Sequence, residues 1–154
     1  LLNCRIDGLD NNKPDLFIID LKMRLKRKLT LNSLLNKRKT YLITLKKNYN
    51  KISKYKKLGF RIIFINSLKN KEDFNNLYKR IYKIGYSSIL VEAGLTFLNN
   101  LIKNKMMNDL YIFKTDKNLG DNGMNNDTPA YLKKICPKKI KINLNGDKLF
   151  KQIL

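Results

Sequence analysis

A carboxylate, a small residue and a glycine, Glu92-Ala93-Gly94, follow directly on the short apolar run Ile89 to Val91. Chemistry is easiest to build at that succession. Glu92 stands where a strand end would meet a cleft and could hold a polar substrate. Gly94 has no side chain to keep a ligand away from the backbone. Behind it Phe97, Leu98, Leu101 and Ile102 recur at i, i+1, i+4 and i+5, the stripe of an amphipathic helix. The N–H groups that open such a helix favour an anion, a phosphate above all. The same spacing also fits a tight strand-to-helix turn with no ligand, because a single glycine is a weak motif.

The elements that must position this stretch are legible on both sides of it. Ile89 to Val91 is unbroken and β-branched, as expected of a strand buried on both faces. Asp10 to Pro14 is a turn cluster, and Leu16 to Ile19 reads as a buried strand ending in the carboxylate of Asp20. Leu21 to Lys39 has no clean period and reads as a long loop with one helical turn near Ser33. Thr40 to Thr44 and Phe60 to Ile65 read as strands, with a loop or short charged helix over Tyr49 to Leu58. Phe74, Leu77, Tyr78 and Ile81 predict a helix over Asp73 to Ile84, stopped by Gly85. Leu110 to Phe113 is a further strand. Strand, helix, strand, helix, strand from Phe60 to Phe113 predicts a parallel α/β core. Leu119 to Pro129 reads as a surface loop, and Asn145-Gly146 between two apolar runs signals a terminal hairpin.

At 154 residues and 43% hydrophobic, the chain is long enough for a single folded domain. No apolar stretch approaches the roughly 20 residues of a membrane span. Histidine is absent, so histidine catalysis is excluded, and Cys4 and Cys136 form no metal-binding pattern. No metal is expected. Two isolated thiols fit a reducing, cytoplasmic setting. The net charge of +21 admits a nucleic-acid binder, since clustered lysine and arginine neutralise phosphates. It also fits AT-rich coding, which favours Lys, Asn and Ile together. The local clusters Lys26 to Lys28, Lys37 to Lys39 and Lys54 to Lys57 read as loop and helix surface. No specific nucleic-acid partner is expected, whereas phosphorylated small molecules would benefit from the field.

Val91-Glu92-Ala93-Gly94-Leu95-Thr96-Phe97-Leu98 resembles the VEGGPTL signature of the RibD C-terminal reductase domain family. Met106 to Ile112 is similar to that family's GLVDELxxY, and Asn118-Leu119-Gly120 to its LLG. Leu2-Asn3-Cys4-Arg5 is similar to its LTxR, and Ile18 to Arg24 to its VxDSxxR. The order and spacing of the matches run from Leu2 to Gly120. The resemblance implies an α/β, dihydrofolate-reductase-like fold, a mostly parallel sheet flanked by helices with a C-terminal antiparallel hairpin. It also implies NADPH-dependent reduction of 5-amino-6-(5-phosphoribosylamino)uracil in riboflavin biosynthesis. Another pyrimidine or pterin reductase of that fold is the nearest alternative.

Carried over, Glu92 contacts the substrate and is the in-chain candidate for catalysis, with Leu2 and Arg5 also at the substrate. A guanidinium such as that of Arg5 suits a ribose phosphate because its fork donates two charge-assisted hydrogen bonds. Gly94, Leu95, Thr96, Phe97, Leu98, Asn99 and Asn100 border the pyrophosphate of NADPH. Leu21 stands where the family has a cofactor-contacting serine, so any contact there would run through its backbone. Asp20 is expected to pin its loop, and Arg24 either reaches the adenosine phosphate or is a solvated loop residue. The chain departs from the family at Ala93, in place of glycine, and at Leu95, in place of proline. By the resemblance, the family's opening strand and helix and its proton donor lie upstream of Leu1. A homodimer and an upstream zinc deaminase domain are further expectations of the family.

Overall fold

The computed structural model describes residues 13–25, 35–116 and 131–154. Leu2, Cys4, Arg5, Lys26 to Lys28, the turn near Ser33 and the loop from Leu119 to Pro129 lie outside the described residues. The described strands and helices form an α/β fold with a parallel sheet, flanking helices and a C-terminal antiparallel sheet. The chain divides into two compact units at Leu68/Lys69.

In the first unit, β1 (Leu16–Ile19), β2 (Thr40–Leu45) and β3 (Arg61–Ile65) form a parallel sheet in that order. β2 is central. Its residues Thr40 to Thr44 are all buried, which is why it reads as an apolar and β-branched run rather than an alternating one. Parallel neighbours need a crossover. Between β2 and β3 the crossover is a 3-10 turn, Lys46–Lys51, followed by α1, Ser53–Lys57. On one face Tyr55, Phe60 and Leu42 close a core to which Ile18, Met23, Leu25, Leu35 and Ile62 add their partly buried side chains. Elsewhere in the sheet Phe17 stacks on Tyr41, ring centroids 4.6 Å apart.

The Lys37 to Lys39 cluster is not surface throughout, as its charges suggested. Arg38 is only 7% exposed, and its Nη1 donates to the Pro14 carbonyl at 3.4 Å. Burial pushes its guanidinium below the ordinary arginine range, and the nearby charge of Asp15 opposes that. The Asp15 carboxylate also accepts the Lys39 N–H, so this polar group closes the entry to β1 and β2.

The second unit opens with α2, Lys71–Lys83. Its start is fixed by a reciprocal cap: the Asn70 side chain accepts the Asp73 N–H at 2.9 Å, and the Asp73 carboxylate accepts the N–H groups of Lys69 and Asn70. At its end Gly85, φ 103°, takes the left-handed position, and the Tyr86 N–H reaches back to the Ile81 carbonyl. Phe74 of α2 meets Phe97 of α3 (Leu95–Lys103) with centroids 5.9 Å apart. Next come β4 (Asp109–Lys114), a 3-10 turn at Leu132–Lys134, β5 (Lys138–Leu144) and β6 (Asp147–Ile153). Asn145 and Gly146 both have positive φ and join β5 to β6 as a two-residue hairpin.

Two expectations need correction. Ile89 to Val91 belongs to no sheet among the described residues, and Leu90 is 83% exposed. Its composition suits a buried strand, but a strand exists only where a neighbour supplies the ladder, so propensity alone does not decide it. The parallel core over Phe60 to Phe113 is also not formed. β4 pairs antiparallel with β6, from Asp109 opposite Ile153 to Lys114 opposite Lys148, in the order β4-β6-β5. The parallel pairing lies earlier, in β1, β2 and β3.

Candidate functional site

α3 begins where the glycine predicts. Gly94 is its N-cap, with φ −70° and ψ 166°, and its carbonyl accepts the N–H groups of Phe97 and Leu98 at 3.1 Å. Among the described residues, the N–H groups that open the helix have no side-chain cap, and no acidic residue stands in its first turn. A Cβ added at Gly94 would meet nothing within 4 Å. Among the described residues, neither its backbone angle nor its packing requires a glycine here.

The residues expected at the cofactor divide by position. Gly94, Leu95 and Thr96 stand at the helix start, with Gly94 and Thr96 exposed. Phe97 turns inward against Phe74, Leu98 is half-buried and Asn99 is 8% exposed. The Asn100 amide donates to the Thr96 carbonyl at 2.9 Å, within its own helix. Glu92 is exposed, two residues before the cap. Nearby, Tyr78, Tyr82, Tyr86, Ile89, Leu90 and Val91 line part of a cavity of about 760 Å³. The Tyr78 hydroxyl donates to the Met106 carbonyl at 3.2 Å, and burial pushes its phenol above the ordinary range.

In the first unit the turn after β1 is tightly held. The Asp20 carboxylate accepts the Leu25 N–H at 2.7 Å, a loop-pinning contact. The Thr44 hydroxyl, buried in β2, donates to the Asp20 carbonyl at 2.8 Å. Asn48 donates to Thr44 Oγ1 at 2.9 Å and to the Leu21 carbonyl at 3.1 Å. Tyr55 donates its hydroxyl to the Leu25 carbonyl at 2.8 Å. Leu21 is half-buried, and its carbonyl is already engaged with Asn48; Arg24 is exposed.

Beside this turn lies a cavity of about 710 Å³ whose wall includes Lys22, Met23, Asn50, Lys51, Lys54 and Lys57. Only part of this cluster is visible in the sequence. Lys51, Lys54 and Lys57 recur every third residue, which gathers them along one side of a helical path. Lys22 joins them only through the fold. Thr44 and Asn48 give no sign in the sequence, because one lies in β2 and the other in the 3-10 turn that follows it.

The comparisons with known proteins agree with this architecture. Residues 1–140 match the model of the RibD C-terminal domain. No curated protein matches the chain. The RibD of Acinetobacter baumannii, form 1, is 18% identical with a TM-score of 0.66, over 97% of this chain and 40% of that one. Form 2 of the same protein is 17% identical with a TM-score of 0.62, over 89% and 36%. The chain thus spans well under half the length of either, and at these identities the likeness shows the fold alone. Among the described residues no helix is long and apolar enough to cross a membrane.

Proposed function

The chain belongs to the RibD C-terminal domain family, and from that premise we propose that it is an NADPH-dependent reductase of 5-amino-6-(5-phosphoribosylamino)uracil. The observation that supports the reading is the start of α3: an uncapped helix end without acidic residues, preceded by an exposed glycine and a carboxylate. The donor set fits a dinucleotide pyrophosphate, because backbone N–H groups and a helix dipole hold a dianion without a lysine. Thr96 adds an exposed hydroxyl to the same end. NADPH, when bound, supplies the hydride that opens the ribosyl group to ribityl.

The chain's own residues orient and hold. Gly94, Leu95 and Thr96 take the pyrophosphate. Glu92 anchors the polar part of the substrate; the roles of Arg5 and Leu2 toward a ribose phosphate rest on the family resemblance alone. Asp20 fixes the turn that carries Leu21, its carboxylate accepting the Leu25 N–H at 2.7 Å. The reading carries a homodimer and a deaminase partner domain as further proposals.

The test is steady-state reduction of the phosphoribosyl substrate by the chain and by Glu92→Gln. The variant keeps shape and removes charge, so kcat/KM should fall by about 10- to 100-fold while NADPH affinity holds. Equal kcat/KM in the two proteins would remove Glu92 from the site.

A further inference from the structure

β4 has one edge paired and one edge open. In its sheet, ordered β4-β6-β5, β6 takes one side, and among the described strands none takes the other. An open edge presents alternating N–H and C=O groups to any strand that comes alongside. The edge runs from Asp109 to Lys114 and has no proline or glycine to discourage pairing. The second-unit cavity is bounded by Asp109 and Tyr111 of β4 and also by Ile89, Leu90 and Val91. Those three have the composition of a strand but no ladder, and all are exposed. One cavity therefore meets both an unpaired strand edge and an apolar segment without a strand neighbour.

The two walls are tied to the same helix. The Tyr86 N–H bonds to the Ile81 carbonyl of α2 at 3.3 Å, which fixes the start of the apolar segment. From α2 the Tyr78 hydroxyl reaches the Met106 carbonyl, just ahead of β4. The charge of the wall is also selective. Asp109 is engaged by Lys151 at 3.1 Å, whereas Lys79 and Lys83 of α2 form no ion pair among the described residues. An incoming acidic side chain complements them. A strand laid between two ladders needs both of its edges free. Every described strand already pairs along at least one edge, so none from a second copy can serve.

We propose that the cavity is a strand slot, filled by an extended polypeptide segment from outside these 154 residues. The segment is apolar at alternate positions and carries an acidic residue. It adds a strand to β4 and gives Ile89 to Val91 the ladder they lack, main-chain bonds supplying affinity and alternate side chains specificity. The assignment rests on the open edge and the cavity, not on the reductase reading.

The probes are acetylated seven-residue peptides with valine or isoleucine at alternate positions and threonine, glutamate or lysine between them. They are titrated by fluorescence anisotropy, with amide hydrogen exchange followed by NMR. Alternating peptides should bind, those with glutamate more tightly than those with lysine. Binding should slow exchange in both β4 and Ile89 to Val91 by about tenfold or more. Leu90 is 83% exposed, so Leu90→Asp should leave the fold intact while weakening the peptide by about tenfold or more, the worth of a buried leucine. The control Ile142→Asp alters an exposed residue of β5, at the far edge of the same sheet, and should change nothing. The proposal is overturned if no alternating peptide binds, or if peptides with the same residues in one apolar block bind equally well. Slow exchange at both segments in the chain alone also overturns it, as does slow exchange that appears only with self-association in ultracentrifugation. In those cases the chain itself or a second copy fills the slot.

Discussion

Thr44→Val tests whether the turn after β1 is held by the buried polar chain described above. Thr44 is 0% exposed, and valine has nearly its shape, so packing is conserved while the hydroxyl is lost. The hydroxyl donates to the Asp20 carbonyl at 2.8 Å and accepts from Asn48 at 2.9 Å. Asn48 keeps its bond to the Leu21 carbonyl, so the main loss falls on Asp20 and on one N–H of Asn48. Leaving buried polar groups unsatisfied costs about 1–3 kcal/mol each, and the partial exposure of the turn argues for a total of about 2–3 kcal/mol. For a chain of this size that corresponds to roughly 4–12 °C in Tm. Urea denaturation of Thr44→Val, Asn48→Leu and the double variant gives both the loss and the coupling between the two residues. A coupling of about 1 kcal/mol or more is expected for residues in one network. A loss below about 0.5 kcal/mol in Thr44→Val, with additive single variants, would refute the reasoning.

Lys105 occupies the left-handed position after α3, with φ 54°, and the Met106 N–H beyond it reaches the Leu101 carbonyl. Lys105→Gly should therefore stabilise the protein by about 0.5–1 kcal/mol in denaturant titration, the relief of strain exceeding the added chain entropy. Tyr78 has its phenol raised by burial above its ordinary 10.0, so its neutral form is favoured by folding. That contribution is fully present below pH 10 and is lost as pH rises through the folded value. Stability against pH should fall more steeply in this alkaline window for the unaltered chain than for Tyr78→Phe. The net charge of +21 predicts weak nucleic-acid binding without sequence preference and with a steep salt dependence. Tight, sequence-selective binding at physiological salt, read by fluorescence anisotropy, would contradict it.

What the sequence made legible was local. β2 is legible as a short strand over Thr40 to Thr44, α2 by its periodic Phe74, Leu77 and Ile81, and the hairpin by Asn145-Gly146, because each signal lies within a few residues. Gly94 was readable as the start of α3 for the same reason. Ile89 to Val91 forms no strand despite its composition, because apolar composition says what a segment could bury, while sheet membership depends on a ladder partner. The direction of β4 was likewise set by β6, about forty residues further on. The basic cavity was hidden in plain charge: among 33 Lys+Arg, only the fold brings Lys22 to Lys51, Lys54 and Lys57. Arg38, an arginine between two lysines, gives no sign in the sequence that burial awaits it.

NADPH calorimetry on the chain and on Gly94→Val addresses the central claim most directly. The added side chain starts into open space and the backbone is at φ −70°, so the substitution should leave folding intact, as a thermal melt would verify. It should nevertheless project over the N–H groups that open α3 and weaken NADPH binding by about 100-fold or more, since the backbone donors lose their approach to the pyrophosphate. The account predicts measurable binding by the unaltered chain and its loss in a folded Gly94→Val protein. Equal NADPH affinity in the two proteins would contradict it.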